Sequence, residues 1–199
     1  MSDLQLDYFI DTLDSELHEF IKNIDKEKIY QAANLIQASK EAGGRVHVTG
    51  IGKPSHVSHY ISALLSSTGT PSYFLDATES VHGSAGQVVK GDVIIAISNS
   101  GETLELQNTI EALKKLDVKI ISVTGGKSSW LAKNTDISLF AGVEQEGDHF
   151  NKPPRASIMA ELLVLQALSI VLQEGSHLNM EQYHLWHPGG ALGKSLEGE

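Results

Sequence analysis

Apolar residues recur at two periods along the chain, and the switch between them divides it. Over residues 3–22, Leu6, Phe9, Ile10, Leu13, Leu17, Phe20 and Ile21 keep helical spacing. Ile29, Ala32, Ala33 and Ile36 do the same over residues 26–41, and Gly43 and Gly44 end that run. Two amphipathic helices ahead of any strand need a surface to cover, either a sheet or another subunit. From Arg45 the pattern becomes short apolar runs, each closed by a turn and followed by a helical stretch. RVHVTGIG (45–52), PSYFL (71–75), DVIIAIS (92–98), VKIISVTG (118–125) and DISLFAG (136–142) read as strands. VSHYISALLSST (57–68), TLELQNTIEALKKL (103–116), SSWLAK (128–133), SIMAELLVLQALSIVLQEG (157–175) and MEQYHLW (180–186) read as helices, and residues 76–90 as loop with a short helix. Strands alternating with helices imply βαβ units, a mostly parallel sheet and right-handed crossovers.

In such sheets ligands bind beyond the C-terminal ends of the strands. Two glycine-bearing corners fall there. In AISNSGETLE (96–105), Ser98, Ser100 and Thr103 crowd around Gly101 and Glu102 where a strand gives way to a helix. The first amides of a helix are unpaired and carry partial positive charge. With added hydroxyls they form a phosphate cradle that needs neither Lys nor Arg; the plainer reading is a Ser or Thr N-cap. GIGKPSH (50–56) repeats the logic: Pro54 suits a first helical turn, Ser55 offers a hydroxyl, and Lys53 stands at the strand tip. Neither corner has the spacing of a Walker A loop or of the GxGxxG dinucleotide pattern.

Composition narrows the classes. The chain has 199 residues, enough for one domain with a sizeable core. Its formal charge of −10 argues against nonspecific nucleic-acid binding, which runs on clustered Lys and Arg. It has no cysteine, which excludes disulfides, thiolate metal sites and a cysteine nucleophile. The acidic N-terminus is no secretory signal, and LLVLQALSIVL is too short for a membrane span, so a cytoplasmic location with no membrane partner is expected. His184 and His187 lie three apart, but no diagnostic zinc spacing accompanies them, so neither a metal nor a cofactor is expected. His56 and His59 read as helix surface or subunit contact, and Trp130 and Trp186 as packing or interface residues.

GIGKPSH, ESVHGSAG, AISNSGETLE and WHPGGALG occur in an order and spacing that resembles the sugar isomerase (SIS) domain of D-arabinose 5-phosphate isomerases. The resemblance covers about residues 46–196 and is to the isomerase domain alone, without the pair of cystathionine-β-synthase-type domains that usually follows. It implies a three-layer αβα sandwich with a five-stranded parallel sheet flanked by helices. Residues 1–42 would be N-terminal helices and residues 43–199 the core of one SIS domain. It implies Ser55, Ser98, Ser100 and Thr103 as phosphate ligands and Lys53, His82, Glu102 and His187 as the catalytic set. It also implies a homotetramer or homodimer whose pocket takes a histidine from a neighbouring subunit. Aldose–ketose isomerisation through an enediolate needs a base for the carbon-bound proton, a shuttle for the hydroxyl proton and a positive group at the oxyanion. A carboxylate, two histidines and a lysine suffice; Glu102 and His187 are both open as the carbon base.

Two departures bear on the substrate. Residues 147–161, GDHFNKPPRASIMAE, replace a segment rich in small hydroxyl residues, and Ser84 stands where an acid is common. Arg155 or Lys152 could meet a second anionic group. D-arabinose 5-phosphate to D-ribulose 5-phosphate is the expected reaction. Another pentose or hexulose phosphate, or a phosphosugar-binding module without turnover, are the alternatives.

Overall fold

A computed structural model describes residues 3–189, so the end of the WHPGGALG motif, from residue 190, lies outside the described residues. In chain order the elements are α1 (Asp3–Lys22), α2 (Lys26–Glu41), β1 (Val46–Gly50), α3 (Lys53–Ser67), β2 (Ser72–Phe74) and α4 (Ala77–Ser80). A 3₁₀ turn (Ser84–Gln87), β3 (Val93–Ile97), α5 (Leu104–Lys114), β4 (Lys119–Thr124) and α6 (Trp130–Lys133) follow. The described chain closes with β5 (Ile137–Phe140), α7 (Ala156–Gly175) and α8 (Met180–Trp186).

The β-branched runs form a parallel sheet in the order β2-β1-β3-β4-β5. Side chains alternate across it and feed two cores. Val48, Ile95, Ile97, Ile121, Val123 and Leu139 meet α2, α3 and α7 through Ile36, Ile61, Leu65, Leu165 and Leu168. Ile94, Ala96 and Ile120 meet Leu106, Ile110 and Leu113 of α5 and Leu131 of α6. Burying a side chain of this size stabilises by about 1.5–3 kcal/mol, so the two layers clamp the sheet between them. α7 is long and apolar enough to span a bilayer, yet Ala160, Val164, Leu165, Leu168 and Leu172 are buried against this core. The N-terminal helices divide the covering work unequally. α2 buries Ile29, Ala32, Ala33 and Ile36, whereas α1 buries Phe20 and leaves Leu4, Leu6, Tyr8, Ile10 and Ile21 exposed.

From the gap between β1 and β3 the chain winds outward in both directions. α3 leaves β1 on one face and α5 leaves β3 on the other, so a crevice opens between the two strand ends.

At the opposite edge Asp92 ties the starts of β1 and β3 together. Fully buried, it accepts from Arg45 N (2.9 Å), Val89 N (2.9 Å), His47 Nε2 (2.9 Å) and Arg45 Nη2 (3.3 Å). Burial alone would raise its carboxyl, but the Val89 and Arg45 amides and the His47 imidazole outweigh it and hold the group below its usual range. Burial pulls His47 below its ordinary value, against the upward pull of Asp92.

Asp92→Ala strips these donors of their acceptor and is expected to cost about 3–5 kcal/mol in urea denaturation. Acid weakens the same clamp. Below pH 6.5 the unfolded chain protonates His47 while the folded imidazole resists, so stability falls as pH drops through that range, and Asp92 adds a second loss below 3.8. His47→Gln keeps a donor toward Asp92 without titrating and should flatten the upper part of the fall; an unchanged profile would assign it elsewhere.

Candidate active site

The crevice is built by close approach. A Cβ at Gly50 would stand 3.0 Å from Ile97 O and 3.1 Å from Pro54 Cβ, so glycine is what lets the ends of β1 and β3 and the first turn of α3 converge. Beyond it the chain turns through Gly52 at φ +71°, and Lys53 opens α3 with Pro54 in its first turn. Across the gap, Ser98 is buried at the end of β3 and residues 99–103 lead into α5.

The helix starts differ in a way that marks this edge. α2, α4, α6 and α8 begin on side-chain caps from Asp25, Asp76, Ser129 and Asn179. α3 and α5, the two helices that flank the crevice, begin on Gly52 and Thr103 with no side-chain cap bond. The first amides of α5 keep their donors at the positive end of the helix dipole; on α3 Pro54 has no N–H and Ser55 N donates to Gly52 O at 3.1 Å, so Lys53 N is the donor left at that start. The four hydroxyls are present but locally engaged. Ser98 Oγ accepts from Gly101 N at 3.1 Å and lies 3.2 Å from Thr103 Oγ1. Ser100 Oγ accepts from Glu102 N at 3.2 Å, and Ser55 Oγ donates to Gly52 O at 2.7 Å.

Gly101 has a second reason to be glycine. Its φ is +66°, and a Cβ there would collide with Ser129 Oγ and stand 2.8 Å from Thr124 Oγ1. Its carbonyl accepts from Leu131 N at 3.0 Å. Glu102 joins the same fastening: Oε1 accepts from Trp130 N at 2.8 Å, and Oε2 lies 3.5 Å from Gln107 Nε2. Glu102, one of the two groups open as the carbon base, is thus held at the start of α6.

Lys53 is exposed at its corner and, with His56, Val57, Tyr60, Ile158, Leu162 and Gln166, lines a groove of about 530 Å³ between α3 and α7. His82 is exposed just after α4, beyond the C-terminal end of β2 and so at the same edge. His187 is not. Its neighbour Trp186 packs 3.7 Å from the Cβ position of Gly69, beyond the far end of α3. At 1.5 Å per residue that end lies about 20 Å from Lys53. The His187 ring stacks on Tyr183 with centroids 4.1 Å apart, and Nδ1 lies 2.7 Å from Tyr183 O. Donation to that carbonyl puts the neutral ring's lone pair on Nε2. Within one chain, then, Lys53, His82, Glu102 and the four hydroxyls share an edge and His187 stands at the other.

The structure adds a residue that sequence reasoning passed over. Glu146 lies between β5 and α7 and is 7% exposed. Its Oε2 accepts from Arg155 N (2.6 Å) and Ser157 N (3.1 Å), replacing the missing side-chain cap of α7. Its backbone is braced on two sides: Asn151 Oδ1 accepts from Glu146 N at 2.7 Å, and Asn151 Nδ2 donates to Glu144 O at 3.0 Å. From α1, Glu16 accepts from Glu144 N (2.9 Å) and Gln145 N (3.1 Å). Two acids in VEQEG just ahead of a long helix were the available signal. Arg155 is spent locally, its Nη1 2.7 Å from Asp148 Oδ2, which leaves exposed Lys152 as the remaining cation of that segment. One turn into α7, Glu161 is fully buried with both carboxyl oxygens unpartnered, as is the hydroxyl of Ser157. Burial, with the nearby Glu146 charge adding to it, pushes Glu161 up to about 8.

The SIS domain family model matches residues 40–171. The arabinose 5-phosphate isomerase KdsD of Pseudomonas aeruginosa is 42% identical over 166 residues, covering 83% of this chain and 50% of that protein. KdsD of Francisella tularensis is 36% identical over 184 residues, covering 92% of this chain and 56% of that one. The chain thus spans about half the length of the curated relatives it matches. Protein c3406 of E. coli CFT073, solved in complex with arabinose 5-phosphate, shares the fold with a TM-score of 0.81 and 34% identity, over 94% of this chain and 100% of that one. The matched fold, the paired corners at the β1–β3 crevice and the identity across these relatives establish that this chain belongs to the SIS domain family.

Proposed function

We propose that this chain is an aldose–ketose isomerase that interconverts D-arabinose 5-phosphate and D-ribulose 5-phosphate through an enediolate. The observation that carries the reading is the pair of uncapped helix starts, α3 and α5, set among Ser55, Ser98, Ser100 and Thr103 beside Lys53. Its similarity to the KdsD enzymes and, over that chain's whole length, to c3406 with its bound sugar phosphate supports the choice of sugar.

In this reading the phosphate exchanges the local bonds of the four hydroxyls for its own and sits on the first amides of α5. Its charge offsets the positive end of the helix dipole, so the cradle works in a chain of net charge −10. Lys53 faces the oxygen that becomes anionic in the enediolate. Glu102 holds α6 against Gly101 and so bounds the phosphate corner. Glu146 moves the proton between adjacent carbons, because one of its oxygens is fixed by the α7 amides and the other accepts no hydrogen bond among the described residues. His82 orients the sugar hydroxyls. His187, with a basic Nε2 at the far edge, serves the pocket of a neighbouring copy, which makes the working form a homo-oligomer with shared sites. The exposed apolar residues of α1 offer a surface for that association. A cytoplasmic location goes with a phosphorylated pentose as substrate.

Incubation with arabinose 5-phosphate in deuterated water should give ribulose 5-phosphate with deuterium at C1, and deuterium at C2 of the arabinose 5-phosphate re-formed by the reverse reaction. Binding without exchange would make the chain a sensor, and exchange confined to a hexulose phosphate would reassign the sugar. Glu146→Gln is expected to lower kcat about 10²–10⁴-fold with little change in KM, the loss typical of removing a general base. Ser100→Ala should instead raise KM for the phosphorylated sugar about 10–100-fold, the worth of one hydrogen bond to a charged group, and leave kcat near wild type. Lys53→Ala and His187→Ala should each be inactive alone. Refolded as an equimolar mixture they should recover up to about a quarter of wild-type activity, because one site of each mixed pair is intact; an active monomer in light scattering would overturn the shared pocket.

A further inference from the structure

Glu161 has no part in the chemistry above, yet its position is costly to ignore. It is fully buried on the inner face of α7, where Ala160, Val164 and Leu165 are its apolar neighbours. Among the described residues neither carboxyl oxygen has a partner, and the hydroxyl of Ser157, one helical turn before it, is also unpartnered. A leucine or methionine would fill this space without leaving polar atoms unsatisfied. The backbone N–H of that same Ser157 is bound to Glu146 Oε2 at 3.1 Å. Glu146 and Glu161 therefore both belong to the first turns of α7, one joined to Ser157 through its amide and the other one helical turn beyond it.

We propose that Glu161 is a positioning residue that works through Glu146: the two carboxyls form a coupled pair in which Glu161 keeps a proton, so that the pair presents a single negative charge at the start of α7. This deepens the isomerase reading and rests on it for its catalytic consequence. The surroundings leave Glu146 as the group that acts on Glu161. α2 turns Ile29, Ala32, Ala33 and Ile36 to the core that α7 shares, and α3 turns Val57, Ile61 and Leu65. Lys40 of α2 reaches Gly69 O at the far edge, and Lys53, His56 and Tyr60 of α3 line the outer groove. Glu16 of α1 is held by the Glu144 and Gln145 amides, and the Arg155 guanidinium is paired with Asp148. The Glu146 charge is the electrostatic influence on Glu161, in the same direction as burial. A second negative charge appearing beside Glu146 would oppose an anionic enediolate, so loss of the Glu161 proton should switch the site off.

Two measurements separate this pair from the isomerase reading itself. In ligand-free protein labelled with ¹³C at the glutamate carboxyls, one signal should titrate near pH 8 and vanish in Glu161→Gln. If that variant does not fold, the signal is still recognised as the glutamate that titrates above pH 7. In Glu146→Gln its midpoint should fall by about half a unit or more, because a neighbouring negative charge has been removed. An unchanged midpoint overturns the pair whether or not the protein turns over any sugar. Turnover of arabinose 5-phosphate should decline above about pH 8 in wild type, and Glu161→Gln should move that alkaline limb upward by about one unit or more. A limb at the same pH in both proteins overturns the catalytic consequence, whereas absence of turnover in wild type, with the midpoint still displaced, would sink the isomerase reading and leave the pair standing.

Discussion

The reversal of winding between β1 and β3 is the constraint on which the site depends. Parallel strands need crossovers, and right-handed crossovers put α3 on one face of the sheet and α5 on the other. Only at that gap do two helix starts point toward one another without a strand connection between them. The gap is narrow because Gly50 has no side chain to keep Ile97 and Pro54 apart. Every charged or hydroxyl group placed at this edge, from Lys53 to Thr103, inherits its position from these two facts.

The treatment of helix termini follows the same division. Where a helix starts away from the crevice, a short polar side chain satisfies its amides: Asp25, Asp76, Ser129, Asn179. Where it starts on the crevice, no side-chain cap is made, and the first amides of α5 are left with their donors. α7 is intermediate, capped by the distant Glu146 rather than by its own N-cap residue. A carboxylate used as a cap is rigid and close to the amides that stabilise its charge. The loop that carries it is fastened from α1 by Glu16 and internally by Asn151, so the N-terminal helix helps to fix the start of α7. The two ends of the sheet also answer differently to pH. The Asp92–His47 clamp loses stability toward acid, while the buried Glu161 carboxyl costs stability as pH rises from 4.5 to about 8.

The strands and helices were legible because their periodicities are strong: VIIAI is buried at every position, and α2 repeats Ile29, Ala32, Ala33 and Ile36 on one side. The two glycine-bearing corners were legible because hydroxyls and glycine cluster within a few residues of a strand end. Glu146 was not, because nothing local distinguishes it from Glu144; what singles it out is a helix that starts nine residues later, at Arg155 and Ser157. The local work of Glu102 was hidden for the same reason, since its partner Trp130 lies across a strand and a turn.

What the sequence by itself determined is the set of elements, the parallel α/β class and the place of the two corners at strand ends, since these follow from residue patterns that are local in the chain. The tertiary structure decided which strand ends adjoin, that Glu102 is tied to the start of α6 and Glu146 to the start of α7, and that His187 stands an α-helix's length from Lys53. Those outcomes depend on strand order and on packing between segments far apart in the chain. One-dimensional periodicity carries no record of either.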